Sequence, residues 1–341
     1  MATSYFDLPS SVQSELLANA AAETHRATAV IEKDIWITLV LKDLFAMPGR
    51  KAMAFKGGTS LSKVYSVIQR FSEDVDVTID YRELGCEQSV AELSRLSGGK
   101  RDKIGEALKA KVREYTHEIV RPYLQSQLAS LACGQECDVT VSENGEKLYV
   151  VYPTRAFARG QYMREHVLVE FGGRNLINPN SHYTIKPDIA ALFPNIDFPI
   201  AEGVVVLAPE RTFWEKVTLV HAECNRPLAD DRNRVSRHWY DLAMLAQHEA
   251  GRRAMEDLDL LADVVGLKKV FYRSASAQYD RCLTGELNLM PDSENLVRLE
   301  NDYREMQGSG MLNGHVYPIA DILALLSTLQ GRINQLTLAK W

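Results

Sequence analysis

The sequence has no apolar run long enough to cross a membrane, and this absence excludes an ordinary transmembrane helix, which needs about 20 apolar residues. Its first residues, 1 to 7, contain neither a basic segment nor an apolar signal core. We therefore expect a cytoplasmic protein. The length of 341 residues fits one large domain or two modest ones.

Cysteines are few, and they form no pattern. The five cysteines are odd in number and scattered along the chain, at Cys86, Cys133, Cys137, Cys224 and Cys282. Such a set does not predict a disulfide framework. Cys133 and Cys137 could form part of a zinc site, but no second pair or suitably spaced histidine completes it. We therefore expect reduced, structural thiols.

An excess of basic charge is also missing. The chain has 39 Lys and Arg against 45 Asp and Glu, a net charge of -6. A broad nonspecific grip on nucleic acid needs basic surface, so the composition argues against one. A local basic patch stays compatible with it. One candidate is the set Arg226, Arg232, Arg234 and Arg237, for which a contact with triphosphate or RNA and plain solvation both stay open. A second group, between residues 100 and 113, is interpreted as a solvated helix face.

A glycine turn followed by two carboxylates is the most informative feature of the chain. Residues 52–79 are predicted to form a strand, a turn at Gly57-Gly58, a helix over 60–68, and a second strand that carries Asp74 and Asp76. Because side chains alternate along a strand, both aspartates share one face while the intervening valines face a core. Paired carboxylates repel each other, and Mg²⁺ relieves that repulsion while it also binds substrate phosphates.

The helix after the glycines is suited to hold a phosphate. Glycine allows a tight turn and a close approach of the backbone to a ligand. The N–H groups at the start of a helix attract anions. The predicted nucleotide-binding residues are Gly57, Gly58, Thr59, Ser60 and Lys63. A phosphate cradle beside a metal-holding pair predicts transfer of part of a nucleoside triphosphate.

This combination resembles the DNA polymerase β-like nucleotidyltransferase superfamily, and the string KGGTSLSK…RFSEDVDV resembles the AbiEii/AbiGii toxin family within it. Upstream, Glu32-Lys33-Asp34 resembles a helical motif of that family. Downstream, Lys216 and Asp241 match its later motifs, so the resemblance spans about residues 28 to 245. Many members carry Arg-Asp-x-x-Asp where this chain has Arg237-His238-Trp239-Tyr240-Asp241, so only the second aspartate carries over.

The resemblance implies a set of roles. Asp74 and Asp76 would hold Mg²⁺ or Mn²⁺, with Glu170 on a neighbouring strand as a third carboxylate. Lys216 would contact the triphosphate, oriented by Asp241, and Arg237 would join the nucleotide-binding residues. For these residues the alternatives are a solvated strand edge for Glu170, a solvated charge for Lys216 and helix N-terminal charge for Asp241.

The same resemblance implies a toxin that uses an NTP, often acts on transfer RNA, is linked to phage defence, and has a cognate antitoxin that binds or modifies it. The 3′ end of tRNA is the favoured acceptor. Transfer to a protein or small molecule, and a nucleotide-binding module without catalysis, stay open as alternatives.

The predicted fold class is α+β, a mixed-sheet nucleotidyltransferase core with N-terminal helices, a helical insertion and a helical C-terminal half. The predicted core domain covers residues 1–208 with the insertion at about 88–131, and residues 209–341 form a helical domain that completes the active site. The strand at residues 167–171 is predicted to end at Gly172-Gly173.

Overall fold

A computed structural model describes residues 3–156, 166–228 and 234–340 of the chain. Its described strands are β1 Thr3–Ser4, β2 Met53–Lys56, β3 Asp74–Asp80, β4 Asp138–Val141, β5 Lys147–Val151, β6 His166–Asn175, β7 Asn180–Ile185, β8 Ile196–Asp197 and β9 Ala201–Leu207. The described α-helices are α1 Ser10–Thr24, α2 Thr28–Ala46, α3 Gly57–Lys63, α4 Val90–Ser94, α5 Gly98–Tyr115, α6 Arg121–Ala129, α7 Pro209–Cys224, α8 Ser236–Gln247, α9 Glu249–Glu256, α10 Leu258–Phe271, α11 Ser293–Gly308 and α12 Ile319–Lys340. In this described part, no helix is both long and apolar enough to cross a membrane.

Two compact units make up the chain, and neither is one continuous stretch. The first unit consists of Met1–Val64, Ser72–Cys86 and Glu106–Val206. The second consists of Tyr65–Phe71, Glu87–Gly105 and Leu207–Trp341. The domain boundary predicted at residue 208 stays a prediction.

The first unit is built on a seven-stranded mixed sheet with the order β4-β5-β6-β3-β2-β9-β7. The central strand β3 pairs in parallel with β6 and antiparallel with β2. Val75, Val77 and Ile79 of β3 are buried, as the alternating pattern predicts. The other face of β3 is covered as well, and Asp76 is the one residue of the strand that is not buried. Helix α2 packs against α1, α6 and β6.

The second unit is helical, as predicted. Helix α8 lies at its centre and packs against α7, α9, α11 and α12. Helices α9 and α10 are separate, because the Asp257 side chain accepts a hydrogen bond from the Leu260 N–H at 3.0 Å and begins a new helix there. The predicted fold class, a mixed sheet with helices and a helical C-terminal half, is confirmed.

Two element boundaries differ from the predictions. The helix predicted at 60–68 begins at Gly57 and ends at Lys63, and Ser66 beyond it has a left-handed φ of 53°. Strand β6 continues through Gly172-Gly173 to Asn175 rather than ending there. A Cβ on Gly173 would lie 2.4 Å from Val112 Cγ2 and 2.5 Å from Leu84 Cδ1, so this glycine permits close packing against the strand rather than a turn.

Candidate active site

The glycine turn and the carboxylate strand are in direct contact. Gly57 has a φ of +82°, a left-handed conformation that favours glycine. A Cβ at this position would lie 2.0 Å from Asp76 Oδ2 and 2.8 Å from Asp76 Cγ. The Asp76 carboxylate therefore occupies the space that any other side chain would need. Both the backbone angle and this contact require glycine as the first residue of α3.

The hydroxyl groups of α3 bind the protein backbone. Thr59 Oγ1 donates to the Asp74 carbonyl oxygen at 2.5 Å, and Ser60 Oγ donates to the Gly57 carbonyl oxygen at 2.9 Å. Both residues are fully buried. The first contact fixes the start of β3 to α3, and the second fixes the first turn of the helix. A phosphate role for these two residues stays a prediction.

Asp76 lies in a row of charged residues that crosses four strands. Its cross-strand partners are Lys56 on β2 and Glu170 on β6, and Glu170 is in turn opposite Lys147 on β5. Residues directly opposite each other on paired strands place their side chains on the same face. Lys147 Nζ lies 3.5 Å from Glu170 Oε1. Across the row, a cation at each end therefore flanks two adjacent anions. Asp74 lies two residues from Asp76 on β3.

The arrangement of Asp74 and Asp76 fits a divalent cation in its donor chemistry, because the two carboxylates lie two residues apart on one strand and therefore on one face. Within residues 3–156, 166–228 and 234–340, no three His, Cys, Asp or Glu side chains converge as a metal-binding group. Glu170 as a third metal ligand stays a prediction.

Helix α2 contributes two adjacent charged residues, which bind the two ends of the connection between α3 and β3. Lys33 Nζ forms an ion pair with Glu73 Oε2 at 2.6 Å, and both side chains are almost completely buried. Asp34 forms an ion pair with Lys63 and accepts a hydrogen bond from the Asp188 N–H at 2.8 Å. Lys63 ends α3 and Glu73 immediately precedes β3. The Glu-Lys-Asp motif, which sequence reasoning left without a role, thus anchors the flanks of the candidate site.

Lys63 lies in the last turn of α3, away from the glycines at the start of that helix. Its ammonium group binds Asp34 and also lies 3.3 Å from Asp188 Oδ1. Burial disfavours the charged form, but the Asp34 and Asp188 carboxylates raise the pKa of Lys63 above its usual value. Lys63 is therefore a cation already committed to two carboxylates, and its predicted phosphate contact would have to compete with them.

Glu32, the first residue of the same motif, is bound by a different segment. Its carboxylate accepts hydrogen bonds from Thr154 Oγ1 at 2.6 Å and from the N–H groups of Arg155 and Ala156 at 2.5 and 3.3 Å. Burial raises the pKa of Glu32 against the effect of these donors. Consecutive helical residues point in different directions, so one motif can tie three separate segments to α2.

In the second unit, Asp241 is the centre of a buried ionic cluster. Its carboxylate accepts two hydrogen bonds from Arg70, at 2.7 and 2.8 Å, and lies 2.8 Å from Lys216 Nζ. Burial would raise the pKa of this completely buried carboxyl, but Arg70 and Lys216 hold it well below its usual range. Burial in turn lowers the pKa of Lys216. Two cations around one anion give the cluster a net positive charge.

The geometry corrects two details of the sequence interpretation. Asp241 is the sixth residue of α8, so it does not serve as a charge at the helix N-terminus. Arg70 had been given no role, although it supplies the bidentate contact to Asp241. The two residues are 171 positions apart, and no short-range signal could have linked them.

The arginines near α8 are only partly described. Arg226 forms an ion pair with Glu223, and Arg237 lies in the first turn of α8. Arg234 adopts a left-handed φ of 68°. Arg232 lies outside the described residues. The predicted contact of this basic set with triphosphate or RNA stays a prediction.

Comparison with known proteins gives the same family as the sequence motifs. The family model described as nucleotidyl transferase AbiEii toxin, type IV TA system, matches residues 39–324. Among solved structures, the nucleotidyltransferase toxin MenT4 of Mycobacterium tuberculosis H37Rv is similar, with 18% identity and a TM-score of 0.50 over 96% of this chain and 90% of that chain. At that identity the likeness concerns the fold alone. Among curated proteins, none matches the sequence significantly.

Proposed function

Because the chain belongs to the AbiEii nucleotidyltransferase toxin family of type IV toxin–antitoxin systems, we propose that it moves a nucleoside monophosphate from an NTP to the 3′-terminal hydroxyl of a transfer RNA. Pyrophosphate is the second product. Family membership gives the reaction class and an antitoxin partner, and it favours an enzyme over a module that only binds nucleotides. The acceptor and the metal requirement are the parts that we propose.

The observation that supports this reaction best is the contact between Gly57 and Asp76. A Cβ at position 57 would overlap the carboxylate, so the turn and the aspartate form one unit rather than two independent motifs. Glycine at position 57 lets the Asp76 carboxylate lie directly against the turn, so a metal held by Asp76 and phosphates bound at the turn would be close together. Asp74 and Asp76 would hold Mg²⁺ or Mn²⁺, which when bound would lower the pKa of the acceptor hydroxyl and neutralise charge on the phosphates.

The ion pairs on either side of the glycine turn and the carboxylate strand hold both of them rigidly. Lys33 fixes Glu73 immediately before Asp74, and Asp34 fixes Lys63 at the end of the glycine-initiated helix. A catalytic pair held in position before the substrate binds does not have to be ordered during the reaction. We propose that α2 supplies this preorganisation.

Lys216, Asp241 and Arg237 are proposed to act on the triphosphate. The cluster of Arg70, Lys216 and Asp241 carries a net positive charge, and a lysine ammonium is suited to neutralise charge on a leaving pyrophosphate. The structure adds that Asp241 is shared between Lys216 and Arg70. Asp241 is therefore proposed to position both cations rather than to react itself.

We propose a tRNA end as the acceptor because its 3′ hydroxyl lies on a flexible single strand. Such a strand can bring the hydroxyl to the metal that would activate it. Unpaired RNA ends are recognised by contacts to phosphates and exposed bases, which a local basic patch can provide despite the negative net charge. A 3′ end also presents its hydroxyl without any duplex opening.

Purified protein incubated with each α-labelled NTP, Mg²⁺ and deacylated tRNA tests the proposal. We expect label on intact tRNA and none on tRNA whose 3′ diol has been oxidised with periodate. Asp74→Asn and Asp76→Asn should each lose more than about 100-fold in rate, since even a residue that only supports a metal ligand is worth 10- to 100-fold. Expression should arrest growth unless the antitoxin is present.

Asp80→Asn is the matched control, because Asp80 lies on the same strand and its carboxylate binds Arg82 at 2.7 and 2.8 Å. This variant should keep nearly full activity. Label that enters only a protein band from an added cell extract, with tRNA untouched, would identify a protein acceptor. If Asp76→Asn were as active as Asp80→Asn, the assignment of Asp76 as a catalytic, metal-holding carboxylate would be refuted.

A further inference from the structure

Two cysteines that the reaction does not use lie together in the turn between α6 and β4. The turn is closed by backbone hydrogen bonds from Glu136 N–H to the Cys133 carbonyl oxygen at 2.9 Å and from Cys137 N–H to the Gly134 carbonyl oxygen at 3.2 Å. The Cys137 thiol donates to the Cys133 carbonyl oxygen, with an Sγ–O distance of 3.6 Å. The buried sulfur of Cys137 is thereby directed at the residue that carries the other thiol.

The turn has little freedom to place these thiols elsewhere. A Cβ on Gly134 would lie 2.6 Å from the Ala129 carbonyl oxygen and 2.7 Å from the Leu128 carbonyl oxygen, so the turn is pressed against the end of α6. On its other side Arg155 Nη2 binds Glu136 Oε1 at 2.9 Å. The guanidinium of Arg155 is thus fixed next to the cysteine pair.

The two thiols differ in access. Cys133 is partly exposed, whereas Cys137 is buried. The other three cysteines, Cys86, Cys224 and Cys282, are all buried. A partly exposed thiol with a buried thiol beside it is the usual arrangement of a site that is oxidised first at one sulfur and then closed by the other.

We propose that Cys133 and Cys137 form a reversible oxidation site that responds to hydrogen peroxide. The Cys133 thiolate attacks one peroxide oxygen, so an S–O bond forms, the O–O bond breaks, and the released hydroxide takes up a proton to give water. The Cys137 sulfur then loses its proton and attacks the sulfenic sulfur of Cys133. An S–S bond forms, the S–O bond breaks, and a second water leaves. The peroxide is reduced by two electrons, and the two thiols become one disulfide.

Electrostatics favour the same order of events. A hydrogen bond between the two thiol groups lowers the pKa of Cys133 from 9.0 to about 7 against the effect of burial, and the Arg155 guanidinium acts in the same direction as the hydrogen bond. That shift raises the thiolate fraction at pH 7 from about 1% to about 50%. Nucleophilicity falls about 8-fold for the same shift, so the net gain in reactivity is about 6-fold. Burial, by contrast, raises the pKa of Cys282 to about 12.

Alkylation of the reduced full-length protein tests the role of the hydrogen bond. Iodoacetamide should modify Cys133 before any other cysteine, with a rate that rises to half its maximum near pH 7. Cys137→Ala should slow this modification about 6-fold at pH 7, because the thiol donor is lost. Cys137→Ser keeps a hydroxyl donor and should retain most of the rate.

Treatment with hydrogen peroxide followed by peptide mapping tests the disulfide. In the wild type, Cys133 and Cys137 should become resistant to alkylation together and recover with dithiothreitol. In Cys137→Ser, Cys133 should be trapped as a sulfenic acid by dimedone. The proposal is overturned if both thiols can still be alkylated although the peroxide has been consumed. It is also overturned if the alkylation rate of Cys133 reaches half its maximum only above pH 8.5 and Cys137→Ala leaves that rate unchanged.

Discussion

Replacement of Gly57 by alanine tests the central contact of the candidate site. The added Cβ would lie 2.0 Å from Asp76 Oδ2, whereas ordinary contacts begin at 3.4 Å, so the carboxylate must retreat by about 1.4 Å. Misplacement of a reacting group by about 1 Å costs on the order of 100-fold in rate. The positive φ adds about 1–2 kcal/mol of backbone strain, which acts on the free energy of unfolding. We expect Gly57→Ala to lose at least about 100-fold in kcat and about 1–2 kcal/mol in stability.

Gly85→Ala separates these two effects. Gly85 has a φ of +87°, close to the +82° of Gly57, but nothing lies within 4 Å of its Cβ position. Urea unfolding should therefore show a similar loss of stability for both variants. Nucleotidyl transfer, measured with labelled NTP at saturating Mg²⁺, should fall only in Gly57→Ala. If the two variants had turnover rates within threefold of each other, the argument from the Gly57–Asp76 contact would be refuted.

Three further predictions concern stability and use urea unfolding. Lys33→Met alone should cost about 3–5 kcal/mol because it removes the ion pair with the buried Glu73, and adding Glu73→Leu should recover most of that loss; a double variant worse than the single one would contradict this. Asp241 has a depressed pKa in the fold, so its stabilisation is present above the usual aspartate pKa of about 3.9 and is lost as the pH falls through the folded value. The deficit of Asp241→Asn should thus be constant from pH 8 to 5 and shrink only below about pH 4, and a deficit that grows on acidification would disprove the assignment. Gly173→Ala should cost about 1–3 kcal/mol through overpacking against two side chains, whereas Gly172→Ala, with nothing within 4 Å, should be almost neutral, and equal losses would rule out the packing explanation.

The sequence allowed the core of the candidate site to be predicted because its signals are local. The glycine pair, the alternating valines and the two aspartates lie within about 20 residues, and the fold reproduces their strand–helix–strand order. Strand β6 was predicted to end at its glycines because glycine pairs usually mark turns. The side chains that require Gly173 lie on Val112 and Leu84, and their proximity to it is a tertiary property.

Residue roles were harder to predict wherever the partner is distant in sequence. The ion pairs of Lys63 could not be predicted because its partner carboxylates are at Asp34 and Asp188. Arg70 was overlooked for the same reason. Charged side chains on helices are usually solvated, so their ionic contacts in a core appear only when the fold brings the partners together.

The Arg70–Asp241 contact also has a consequence for biosynthesis. Residues 65–71 are held by partners far downstream, since Arg70 binds Asp241 and Phe71 N–H donates to the Met311 carbonyl oxygen. At about 5–20 residues per second, the ribosome needs roughly 10–35 s to travel from Arg70 to Asp241, and longer to reach Met311. During that interval the bidentate contact between Arg70 and Asp241 cannot form. The buried ionic cluster of Arg70, Lys216 and Asp241 therefore forms only after α8 has been synthesised, so the second unit completes its core late in translation.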